Sequence, residues 1–159
     1  MANNPYSETI IDAVKTAIEG ITIQSGDNRT VAFVNRFDLT SNAEGKRPSV
    51  NIRWRGETKD LSGSDYNVSM SLEILAKLDY DPYSEESLDE QQNKLAFDIE
   101  QAIAGIDYSL LACTSPNFAS EPLSEIDAED PVMGVVLNVI FNYAIDVTNL
   151  YDPEGPGVV

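Results

Sequence analysis

The acidic run DYDPYSEESLDE, residues 79 to 90, gathers the densest set of potential ligands in the chain. It places Asp79, Asp81, Glu85 and Glu90 at the first, third, seventh and twelfth positions of an EF-hand-like loop. The sixth position, where a calcium loop needs glycine for its sharp turn, is Ser84, and Pro82 and Tyr83 fit such a loop badly. Residues 66 to 78, which would have to supply the leading helix, alternate like a strand instead. The run therefore reads as the solvated entrance of the helix that follows it.

Other chemistry finds little footing. Histidine is absent, which removes the commonest general base and transition-metal ligand. Cys113 is the only cysteine, so neither an intrachain disulfide nor a two-cysteine metal site can form. Carboxylate pairs could be drawn at will from the nineteen acids after residue 60, and nothing singles one out. No Gly-rich phosphate loop, nucleophile elbow or lysine-centred pattern is present. Asn67-Val-Ser69 matches a glycosylation acceptor by chance, inside a strand. The expectation is a protein without catalytic residues, metal or cofactor.

Arg53, Arg55 and Lys59 form the one basic group of interest. They read either as an ordinary solvent face or as a contact for the acidic part of a neighbouring copy, where opposite charge sets register and partner choice. Charge placement motivates the second reading. Residues 1 to 60 hold eight basic and eight acidic residues, whereas residues 61 to 159 hold only Lys77 and Lys94 against nineteen acids. The whole net charge of −17 thus lies in the later part. Such a balance argues against nucleic acid as a specific partner. No apolar run is long enough to span a bilayer, and the start MANNPYSETI lacks a secretory pattern, so an intracellular, soluble protein is expected.

The elements that would position these groups follow from periodicity. Ser7 offers an N-cap for a helix carrying Ile10, Ile11, Val14, Ala17 and Ile18, with Gly20 as its stop. Ile21-Thr-Ile reads as the start of a strand broken by Ser25-Gly-Asp-Asn, and residues 30 to 38 read as a strand. Residues 40 to 47 read as a polar loop. Val50, Ile52 and Trp54 face one way and Asn51, Arg53 and Arg55 the other. The polar stretch 55 to 65 reads as a long hairpin loop leading to an alternating strand from Tyr66 to Ile74. Ser87 and Glu90 form a capping box for a helix from Leu88 to Ala104, stopped by Gly105. Residues 107 to 113 suggest another strand, 114 to 131 an exposed loop, and 132 to 147 a long strand protected from a bare edge. The tail, about 151 to 159, reads as flexible. Grouped strands between two helices predict one α+β domain over residues 1 to 159, a mostly antiparallel sheet with both helices on one face.

This order resembles the tail-terminator (tail-completion) family of long-tailed phages. The likeness rests on the helix SETIIDAVKTAIEG, the strands TVAFVNRF, PSVNIRWRG and YNVSMSLEIL, the helix SLDEQQNKLAFDIEQAIAG and the closing strand VMGVVLNVIFNYAID. The resemblance implies a homo-oligomeric ring, a hexamer, that caps the head-proximal end of the tail tube. It implies tail-tube protein and head–tail connector protein as partners, DNA passing through the lumen without specific binding, and no catalytic residues. It places the chain in the virion, assembled in the host cytoplasm. Alternatives are another neck or tail component (a connector or tube subunit), an acidic binding module, or a carboxylate hydrolase.

Overall fold

The computed structural model describes residues 5–36, 47–125 and 132–146. Helix α1 spans Tyr6–Glu19, strand β1 Phe33–Arg36, β2 Ser49–Ser62 and β3 Asp65–Lys77. Helix α2 spans Leu88–Ala104, strand β4 Asn117–Glu125 and β5 Val132–Asp146. The strands form one five-stranded sheet in the order β1-β2-β3-β5-β4. β1 runs parallel to β2, and every other pairing is antiparallel. The fold is α+β, as the sequence predicts.

Strand alternation sorts the sheet into two faces, because residues directly opposite across a ladder share a face. Val68, Met70, Leu72, Ile74 and Ala76 of β3 are buried, as are Val135, Leu137, Val139, Phe141 and Tyr143 of β5. They join Ile10, Ile11, Val14 and Ile18 of α1 with Leu95, Ile99 and Ile103 of α2 in a single core. Both helices therefore lie on one face. The other face carries no helix or strand among the described residues.

α1 begins one residue before the expected cap: Pro5 occupies the N-cap, and Ser7 lies buried within the first turn. α2 has the expected bounds, and the Ser87 hydroxyl accepts a hydrogen bond from the Glu90 amide. Ile21 is buried, but Ile23–Ser25 form a 3-10 turn in place of a strand. The segment from Tyr108 to Ala112 is a turn, with Cys113 making a single bridge to Tyr143. Most of the expected loop from 114 onward is strand β4, aligned on β5 from Asn117↔Ile140 to Glu125↔Val132. This holds β5 between β3 and β4, away from an edge.

The largest departure is the hairpin. β2 continues to Ser62, and only Gly63-Ser64 separate it from β3. Polarity concealed this strand: Thr58 to Ser62 are all exposed, so no core-facing residue marks the alternation. The expected loop at 40 to 46, residues 126 to 131 and the tail lie outside the described residues.

Candidate assembly surfaces

The register of β2 decides where the three predicted basic residues stand. Arg53 opposes Glu73, on the open face. The register then slips between Trp54 and Gly56, so Arg55 sits in a β-bulge, and Gly56 adopts φ of 108°, a backbone conformation that favours glycine. One extra residue reverses the alternation. Lys59 consequently opposes buried Val68 and lies on the helix side, the face opposite Arg53. The structure does not bring Arg53, Arg55 and Lys59 together as one patch. The signal in the sequence was Gly56 itself, since glycine inside a strand pattern often marks a bulge.

Lys59 belongs to a cluster on the helix side. Its Nζ lies 2.8 Å from Glu57 Oε1, while Glu57 Oε2 accepts the Tyr143 hydroxyl at 2.9 Å. Tyr143 in turn meets Tyr6 edge-on, with ring centroids 4.5 Å apart. Burial, with the Glu57 carboxylate beside it, pushes the Tyr143 phenol well above its usual range. The cluster ties the start of α1 to the middle of the hairpin.

Residues 79 to 90 are likewise engaged with protein groups. Asp79 pairs with Arg29 at 2.9 Å, and Asp81 Oδ1 accepts the Tyr83 amide at 2.9 Å. Glu86 and Glu90 both flank Lys94. Buried Gln91 fastens the run, its Nε2 donating to the carbonyls of Asp81 and Glu86 at 3.0 Å each. Among the described residues, no group of three or more His, Cys, Asp or Glu is placed to hold a metal ion.

Three buried polar side chains of α2 escaped sequence reasoning, because amphipathic periodicity marks only apolar positions. Gln91 is one. Gln92 Nε2 donates to the carbonyls of Gly134 at 2.8 Å and Leu123 at 2.9 Å, joining α2 to β5 and β4. Asp98 accepts the Asn28 amide at 3.0 Å, the Asn28 side chain at 2.8 Å and the Arg29 amide at 3.3 Å. Burial pushes the Asp98 carboxyl up, and these hydrogen bonds offset part of that shift.

A cleft of about 670 Å³ is lined by residues including Asn67, Ser69, Tyr108, Cys113, Asn142 and Tyr143. Burial raises the Cys113 thiol to about 11, so it is overwhelmingly protonated near neutral pH and a poor nucleophile. Exposed apolar side chains lie elsewhere: Trp54 at 47%, Leu61 at 63% and Phe97 at 56% exposure. Comparison with protein-family models and with curated proteins finds no match to this chain.

Proposed function

We propose that this chain is a structural subunit that joins copies of itself in a ring, a hexamer, at the head-proximal end of a phage tail tube. There it ends tube growth and offers a surface to the head–tail connector. The supporting observation is a one-sided architecture: two helices cover one face of the sheet while the long β2–β3 hairpin and the other face remain available for neighbours. Along Gly56–Ser62, no strand lies on the outer edge of β2 among the described residues. The surface chemistry resolved here is hydrogen bonding, apolar contact and charge, which suits assembly.

Light scattering with negative-stain imaging, with and without purified tail tubes, tests the reading. A ring of six copies, formed alone or on tube ends, is expected. Long tubes formed by the chain alone would make it a tube subunit. A strict monomer indifferent to tail tubes would sink the proposal.

A further inference from the structure

The face of the sheet away from the helices is electrically unlike the rest of the chain. Between the Ser49–Lys77 and Thr58–Ser69 pairs, its strand residues include two basic and two acidic side chains: Arg53, Lys77, Glu73 and Glu121. They cancel, in a protein whose net charge is −17. Most of the remaining positions are small polar groups such as Asn51, Ser71 and Asn138, interspersed with Leu75, Val136 and Ile140. Ile140 is 38% exposed.

We infer that this neutral face is the surface through which one copy of the chain binds a second copy. Three arguments select that occupant. Two copies repel each other wherever their acidic surfaces approach, and a charge-balanced face minimises that repulsion. A basic partner would gain more at the acidic surfaces, and nucleic acid gains little here. Side-chain amides and hydroxyls both donate and accept, so a surface built from Asn and Ser is complementary to itself. Small side chains also lose little rotamer freedom on contact.

The size is adequate. Five strands spaced ~4.8 Å apart, read over the seven residues from Ser69 to Leu75, give roughly 550 Å² per copy. Two such faces bury roughly 1,100 Å², just above the ~1,000 Å² that separates specific interfaces from incidental contacts.

This inference rests on the self-assembly reading, and the experiment separates the two. The double variant Asn138→Glu, Ile140→Glu places acids on the open face, whereas Phe97→Glu places one on the outer side of α2 as a control. Light scattering should show the wild type and Phe97→Glu as oligomers and the double variant at least tenfold weaker in association, with its thermal melt retained. An independent readout is Ser71→Cys in a Cys113→Ser background, whose maleimide labelling should slow at least tenfold on assembly. A double variant that keeps the wild-type oligomer, or unchanged labelling of Ser71→Cys, overturns the inference and leaves the ring reading standing. A wild type monomeric at every concentration, with or without tail tubes, overturns both. Loss of tube binding with self-association intact would assign the face to the tube protein and overturn it too.

Discussion

Gly134 lies so close to β3 that a β-carbon there would stand 1.9 Å from the Ala76 carbonyl oxygen. The obstacle is backbone, which cannot swing aside as a side chain would. Gly134→Ala should therefore destabilise the fold by about 3 kcal/mol, the upper end of ordinary overpacking, read as a lower urea midpoint. Gln92→Ala tests the same junction from α2. It leaves the Gly134 and Leu123 carbonyls without their side-chain donor and should cost about 1–3 kcal/mol by the same measurement. Asp98 carries a pH signature. Its carboxyl is raised in the folded state, so above its ordinary value the native chain holds a proton that the unfolded chain has released. Stability from this group is then lost as pH rises through that window. Asp98→Asn should remove this loss, so the stability difference between wild type and variant shifts against wild type as pH rises from about 4 and then levels off. Unfolding curves across acidic pH would show it. None of these residues was legible beforehand, because their roles depend on what lies opposite them in the fold.

At the scale of elements, legibility followed burial. α2 matched its expected bounds because its capping box, apolar stripe and terminal glycine agree. β3 and β5 were legible through alternation, having one face in the core. β4 and the outer half of β2 were not, for one physical reason. Their residues are held by ladder hydrogen bonds to a neighbouring strand more than by burial of their own side chains, and a polar sequence does not announce that pairing. Reading 107 to 113 as strand failed in the opposite sense, since Leu111 and Cys113 pack partly against the core from a turn. The bulge at Arg55 shows how a local detail redirects a surface. Alternation alone puts Arg53 and Arg55 on one face, whereas the extra residue sends Lys59 to the other side. Gly56→Ala forces a β-carbon into φ of 108° and should cost about 1–3 kcal/mol, measurable by denaturation.

For the molecule as a whole, charge distinguishes two ways of assembling. The sequence suggested a basic contact, through Arg53, Arg55 and Lys59, meeting the acidic part of a neighbour. Such a contact weakens as salt screens it. The structure divides those residues between a bulge and opposite faces, while the open face balances its charges. Contact through a neutral face between chains of charge −17 has the reverse dependence, because salt screens the repulsion that opposes approach and leaves the contact itself nearly untouched. Association should strengthen as ionic strength rises from about 0.01 M to 0.5 M, across which the screening length falls from about 30 Å to a few ångströms. Sedimentation velocity over that range measures it directly. The double variant Arg53→Glu, Arg55→Glu sharpens the comparison. It should weaken association at low salt, where two added acids raise the repulsion, and recover much of the wild-type mass at high salt. Weakening of the wild-type oligomer by salt would instead return the contact to the basic residues.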